Sequence, residues 1–389
     1  MKKRINNQKL LFISNHAAFF VSHRLNIFKD SKKNGYKFHL IFGSPASTKM
    51  EKEAIQKLKK TKVNFTKFNY SNNSFSLFND LLSLIKMIYL IKEYKPNIIH
   101  SASPKANIYA GFLAKLFTNV SLVMSFSGMG YLYTEKTDSV FFLLKKRIFD
   151  NILFFILSKR KKKIIVQNTN DYFLLKKKFN IKKNDIIKIK GGSGIDLKKY
   201  SKIKKRKTKN IVMVSRVLRN KGALEYFKAA ELLKIKYPEW KFIIIGSLDY
   251  NSPDKISNDV IEYYKKNKII IFKGYKKNIS SHLANTEIFC LPSHREGMPK
   301  ATLEALSVGI PVVTTNTVGC RESILPNKNG LLCKSRNYRN LAEKIEKLIL
   351  NPKLRKKFSK NARLYAETNF SISDVSKKIY KVYENLMYE

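Results

Sequence analysis

Residues 96 to 117 read PNIIHSASPKANIYAGFLAKLF, and a change of pattern inside this stretch decides the fold. The first half is a short apolar run bounded by Pro and Ser, as a strand buried on both faces would be. The second half, KANIYAGFLAKLF, carries a helical pattern. Strand then helix, repeated, is the β-α-β unit, which builds a parallel sheet covered by helices. The rhythm extends in both directions. KLLFIS (9–14), KFHLIFG (37–43), SLVMSFSG (121–128) and KKIIVQNT (162–169) read as further buried strands, and DLLSLIKMIYLIKEYK (80–95) as a helix. The pattern predicts a doubly wound α/β domain over residues 1–200.

Residues 201–209, SKIKKRKTK, lack periodicity and apolar content and read as a basic linker. The rhythm then restarts with NIVMVSRV, KFIIIGS, KIIIFKGY, EIFCLPS and GIPVVTTN, predicting a second α/β domain over 210–370. Residues 371–389 read as a C-terminal helix. The expected architecture is α/β: two Rossmann-like, doubly wound parallel-sheet domains facing a cleft, with ligands at the carboxyl ends of strands.

Composition narrows the function. Of 389 residues, 77 are Lys or Arg and 28 Asp or Glu, a net charge of +49. A hydrophobic content of 44% excludes a disordered chain. The charge reflects either an anionic partner or the Lys, Asn, Ile, Phe and Tyr bias of an AT-rich coding sequence. The basic residues are spread along the chain and no recognition module accompanies them, which argues against nucleic acid. Cys290, Cys320 and Cys333 show no metal spacing and suggest buried thiols in a reducing compartment. The chain has no signal-like apolar segment and no run of about 18 uncharged apolar residues. SVFFLLKKRIFDNILFFIL (139–157) reads as an amphipathic helix, either packed in the core or lying on a membrane surface.

The chemistry concentrates in HREGMPKATLEA, residues 294–305. A buried strand ends near Ser293, the chain turns through Gly297, and a helix follows Pro299. Free N–H groups at a helix start suit a phosphate. Glu296 lies outside that end and Glu304 one to two turns inside. The two carboxylates can therefore reach separate hydroxyl-bearing parts of one extended ligand. The bland alternative is a capping Glu296 and a solvated Glu304.

These elements resemble glycosyltransferase family 4: the strand end LPS, the E-G-x-P turn, the acid eight positions on in TLEA, then GIPVV. IVMVSRVLRNKG (211–222) resembles the family's strand-Gly-Arg-Leu-x-x-x-Lys-Gly element, with Ser215 at the first glycine. GGSGID (191–196), FKGY (272–275) and VGCRESI (318–324) match further segments. The resemblance covers nearly all of the second domain and is weaker in the first. It implies the GT-B fold, a nucleotide-sugar donor (UDP-linked by expectation) and retention of anomeric configuration. It also implies that Arg216 and Lys221 hold the donor diphosphate. Glu304 then binds the ribose, Tyr275 borders the base, and Glu296 with the amides of Gly297 and Met298 holds the sugar. Amides near Thr302 and Leu303 would meet phosphate.

The first domain offers acceptor-side or phosphate-side candidates in SNHAAFFVSHR (14–24), namely Asn15 and His16, and in HSASPK (100–105), namely His100 and Lys105. FSGMGYLYT (126–134) resembles the family's acceptor-side loop. No DxD occurs, so no metal and no cofactor are expected; cationic side chains would carry the diphosphate charge. The resulting expectation is transfer of a hexose or N-acetylhexosamine to a polyprenyl-diphosphate-linked saccharide. The enzyme would sit in the cytoplasm, peripheral on the anionic inner face of the membrane. The alternatives are the same chemistry on a soluble acceptor, or a non-catalytic or nucleic-acid-binding basic protein.

Overall fold

The computed structural model describes residues 7–44, 48–70, 77–129, 131–133, 139–201, 206, 208–250 and 252–388. By contacts the chain forms two units, Met1–Ile189 with Ser373–Glu389, and Lys190–Ile372.

Unit one has seven parallel strands among the described residues. They are β1 (Lys9–Ser14), β2 (Lys37–Phe42), β3 (Asn64–Lys67), β4 (Ile98–Ala102), β5 (Ser121–Phe126), β6 (Lys162–Val166) and β7 (Ile186–Lys188), in the order β3-β2-β1-β4-β5-β6-β7. The order reverses direction between β1 and β4, which pair from Leu10↔Ile98 to Ser14↔Ala102. The expected helix after β4 spans Pro104–Leu116. Unit two has six, β8 (Asn210–Val214), β9 (Lys241–Ile245), β10 (Ile270–Phe272), β11 (Ile288–Leu291), β12 (Val312–Thr315) and β13 (Gly330–Cys333), in the order β10-β9-β8-β11-β12-β13. Every strand read from the sequence is present. The three not read, β3, β7 and β13, sit at sheet edges and are three or four residues long. A sheet edge does not demand a continuous apolar run, so these strands leave little pattern.

The units do not divide where the composition suggested. Residues 190–200, expected in the first domain, join unit two, because Ile195 and Tyr200 enter its core. Ile195 N–H donates to Phe370 O at 2.7 Å, and Ile372 N–H donates to Ile195 O at 3.0 Å. The C-terminal helix, Ile372–Tyr388, packs into unit one through Val375, Ile379, Tyr380, Val382, Tyr383 and Leu386. Residues 202–205 and 207 of the expected linker lie outside the described residues. Helix Val140–Leu157 buries Leu153, Ile156 and Leu157, while Val140, Phe141, Leu144 and Ile148 are exposed. Only its last turns are core. The three cysteines are free and buried.

Ending the chain after Ile372 removes six buried apolar side chains from the core of unit one and none from that of unit two. In hydrogen exchange, the amides of β1 and β4 should lose protection in the truncated protein while those of β8 and β11 keep theirs. Equal protection of both sheets would contradict this division of the core.

Candidate functional site

The site in unit two is built where three loops cross at the carboxyl ends of β8, β11 and β12. After β8 the chain makes a 3-10 turn, Arg219–Lys221, and then turns at Gly222 into helix Ala223–Lys236. Gly222 has φ +74°, and a Cβ there would stand 2.1 Å from Pro292 O. At the second crossing Gly319 has φ +77°, and its Cβ would stand 2.1 Å from Glu296 O. Backbone therefore packs directly on backbone at both points, which only glycine permits.

Polar contacts lock the crossing. Asn220 O accepts from His294 N–H at 2.9 Å and from Ser293 Oγ at 3.2 Å. Glu296 N–H donates to Val318 O at 3.0 Å. Ser293 O accepts from the Thr315 and Thr317 hydroxyls, with the Cys320 thiol beside them. The outcome is that Lys221 Nζ meets Glu296 Oε1 at 2.6 Å, both side chains mostly shielded from solvent. Two residues expected to touch the same donor thus face each other, 75 positions apart in sequence. Arg216 lies nearer the strand end. Its Nη1 donates to Asp249 Oδ2 at 2.7 Å, from a side chain that is 57% exposed. Asp249 is placed by the pairing of the loops after β8 and β9, where Val217 bridges Leu248.

Helix Lys300–Ser307 begins after Pro299 without a side-chain cap. Met298 N–H and Ala301 N–H have no acceptor among the described residues. The phosphate role expected of the Thr302 and Leu303 amides is corrected here. Both already donate to Pro299 O, at 3.0 and 3.2 Å, because the first turn is closed by its own carbonyl. Leu303 and Met298 side chains pack in the core, so Met298 can contribute only backbone. Thr302 Oγ1 is buried without a partner among the described residues. Glu304, half-buried, accepts from Tyr200 O–H at 2.8 Å. Burial raises the Glu304 pKa from its ordinary value, opposed by Lys300, the Tyr200 hydrogen bond and Lys199. It is not a solvated surface acid. Tyr275, half-exposed beyond β10, makes no hydrogen bond or ring contact among the described residues. The structure does not bring it against the others.

In unit one, Asn15 Oδ1 accepts from Ala106 N–H at 3.1 Å and so ties the end of β1 to helix Pro104–Leu116. His16 caps helix Ala17–His23, its Nδ1 accepting from Phe19 N–H at 3.1 Å. Burial lowers its pKa, partly offset by Glu51. Glu51, unmarked by any motif, receives Ala17 N–H at 2.8 Å and Ala18 N–H at 2.9 Å. His100 does not serve as an accessible acceptor-side group. It is fully buried in β4, with Nδ1 2.5 Å from Tyr383 Oη and Nε2 2.8 Å from Ser125 Oγ. Burial holds its pKa well below the usual imidazole value, with Arg24 adding to the effect. Lys105 is likewise engaged, with Nζ 2.8 Å from Asp80 Oδ1 and both side chains largely buried. Gly130 and Thr134 of the FSGMGYLYT loop lie outside the described residues.

Because its folded pKa is raised, Glu304 favours the folded state most at low pH, and this contribution is lost as pH rises through the carboxylate range. Glu304→Gln should therefore melt above the wild type at about pH 8, with the gap closing toward about pH 4. A gap independent of pH in thermal denaturation would show that Glu304 is not desolvated.

Each unit matches a known glycosyltransferase family. Residues 9–168 match the family described as Glycosyl transferase 4-like, and residues 196–365 match Glycosyl transferases group 1. The capsular polysaccharide biosynthesis glycosyltransferase CapM of Staphylococcus aureus is 28% identical, over 81% of this chain and 83% of that protein. The N,N'-diacetylbacillosaminyl-diphospho-undecaprenol alpha-1,3-N-acetylgalactosaminyltransferase of Campylobacter jejuni is 27% identical, over 86% and 89%. Among solved structures, a glycosyltransferase from Rickettsia africae superposes with a TM-score of 0.77 at 20% identity, covering 98% of this chain and 99% of its own. HepE of Anabaena, crystallised with UDP, gives 0.76 at 16% identity, covering 97% and 100%. With a Glycosyl transferase 4-like domain in unit one and a Glycosyl transferases group 1 domain in unit two, the chain is a glycosyltransferase of the GT-B fold.

Proposed function

We propose that this glycosyltransferase moves a hexose or N-acetylhexosamine from a UDP-sugar to a polyprenyl-diphosphate-linked saccharide, with retention of configuration. The observation that carries the donor half is the Lys221–Glu296 contact at the uncapped start of helix Lys300–Ser307. A departing diphosphate is an oxyanion that needs cations held ready in a shielded place. Lys221 is such a cation, and the more exposed Arg216 adds a second; each is paired with a carboxylate until a ligand arrives. On binding, the phosphates take over the cations. Glu296 is freed to accept the sugar's hydroxyls, with Met298 N–H as a donor beside it. Glu304 accepts from the ribose. The C1–O bond breaks with its electron pair passing to the diphosphate, and the acceptor oxygen bonds C1 on the same face. Its proton goes to the departing phosphate oxygen. No metal enters this scheme.

The acceptor half rests on two supports. The Campylobacter relative is named for a diphospho-undecaprenol substrate. Unit one also carries an apolar, basic face. Helix Val140–Leu157 exposes Val140, Phe141, Leu144, Ile148 and Phe154 around Lys145, Lys146 and Arg147. Beside it a groove of about 410 Å³ is lined by Leu84, Ile88, Phe112, Leu116 and Phe155. Among the described residues no helix is long and apolar enough to cross a membrane. Such a face suits peripheral contact with anionic lipid at the cytoplasmic surface, each well-placed cation adding about 1 kcal/mol.

Thermal shifts with UDP, GDP and ADP test the donor. At 100 times its Kd the correct nucleotide stabilises by about 2.7 kcal/mol. That shift should appear with UDP and vanish in Glu304→Ala; no shift with any nucleotide at millimolar concentration defeats the donor assignment. Transfer from the UDP-sugar should persist in excess EDTA, and loss there would overturn the metal-free scheme. Cosedimentation with vesicles containing phosphatidylglycerol should fall about tenfold or more in Phe141→Ser/Leu144→Ser, given ~2 kcal/mol for each inserted side chain. Unchanged binding would remove this helix from the membrane contact.

A further inference from the structure

Arg24 is the end of SNHAAFFVSHR and stands between helices Ala17–His23 and Leu25–Lys33. The residue is 4% exposed. Its guanidinium should be paired at that depth, since an unbalanced buried charge is costly. It is not paired with an acid: among the described residues no carboxylate reaches it. Nη1 donates to His23 O at 3.4 Å, Nη2 donates to Ser127 Oγ at 3.1 Å, and Nε has no partner among the described residues. Burial pushes its pKa down to about 10, which leaves it charged at neutral pH.

The surroundings are one-sided. Ser127 Oγ also accepts from Gln167 Nε2 at 3.4 Å. With two donors already on its oxygen, the Ser127 hydroxyl has its own proton to give, and it finds no acceptor among the described residues. Ser127 is exposed, directly beyond β5, whereas Gln167 is buried directly beyond β6. Next along the sheet, Ser103 leaves β4 with φ +100° and a buried Oγ that also lacks a partner among the described residues. The neighbouring His100 is held neutral and offers no competing charge. A cation and several donors thus meet at the carboxyl edge of the sheet, close to where strand order reverses, with no anion to receive them.

We propose that Arg24, Ser127 and Gln167 form a receptor for a phosphoryl oxyanion in unit one, separate from the donor constellation of unit two. Ser127 is its outer contact, and the unsatisfied guanidinium supplies the charge. Identifying that oxyanion as the acceptor's phosphate rests on the function proposed above; the receptor itself does not.

Calorimetric titration of the full chain with inorganic pyrophosphate tests it, in an Arg216→Ala/Lys221→Ala background that weakens the donor side. Pyrophosphate should still bind. Adding Arg24→Met should cut the affinity by about tenfold or more, as loss of a charged hydrogen bond does. Arg24→Lys should retain part of it. The Met variant should melt at or above its parent, because an unpaired buried charge has been removed. Should it fail to fold, Ser127→Ala at an exposed position gives a second reading, with a loss of severalfold expected. Equal affinity in parent and variants overturns the receptor, as does a parent that binds no pyrophosphate at millimolar concentration. Farnesyl diphosphate in detergent and glucose 6-phosphate separate the sources. Arg24 dependence with the first supports a lipid headgroup. Dependence with the second alone keeps the receptor and overturns the lipid source. UDP binding is read in parallel on the otherwise wild-type chain, so a failed donor assignment leaves the Arg24 result standing.

Discussion

The carbonyl of Ser293 carries more than its own strand. It receives the hydroxyls of Thr315 and Thr317, with the Cys320 thiol beside them, and so ties the end of β11 to the loop after β12. Asn220 O does the same for the loop after β8. With these carbonyls engaged and glycine at both backbone crossings, three loops have one way to pack. The position of Lys221 against Glu296 follows from that packing. A side chain longer than hydrogen at Gly319 would move Glu296 first. The reactive contact is thus controlled by backbone that never touches a ligand.

The sequence revealed the parts that repeat. Central strands buried on both faces leave continuous apolar runs, and each such run is a strand in the structure. Edge strands such as Asn64–Lys67, half-buried or exposed throughout, leave no such run and were invisible. The motif HREGMPKATLEA located the site because its spacing is local. The partners of its residues are not local. Tyr200 reaches Glu304 across 104 positions, Asp249 reaches Arg216 across 33, and no period or composition signals either pairing. The free amides at the helix start are hidden from the sequence for a related reason. Which N–H groups are free depends on whether the first turn closes on Pro299 O, which residue type does not reveal.

Unit one handles polar groups differently. Its candidate residues are polar types at strand ends, and most are joints. Asn15 links β1 to a helix, His16 caps one, and Lys105 pairs with Asp80. His100 is polar but saturated, both nitrogens being in contact with hydroxyls inside the core. Residue type alone does not separate a joint from a binding group; the remaining hydrogen-bonding capacity does. By that criterion the group that stands out in the same segment is one whose charge has no counterpart.

The C-terminal helix has a consequence for how the protein is made. Unit two, residues 190–372, is continuous in sequence, whereas unit one is not. On the ribosome, residues 1–189 emerge first, yet the surface meant for Tyr380, Tyr383 and Leu386 stays open until all of unit two has been translated. At about 5–20 residues per second that interval lasts roughly ten seconds or more. During it the nascent chain exposes the apolar, aromatic surface around Tyr36 that the helix covers. Completion of the first unit waits on a helix translated after the whole of the second, which makes this interval the point at which a holding chaperone would matter most.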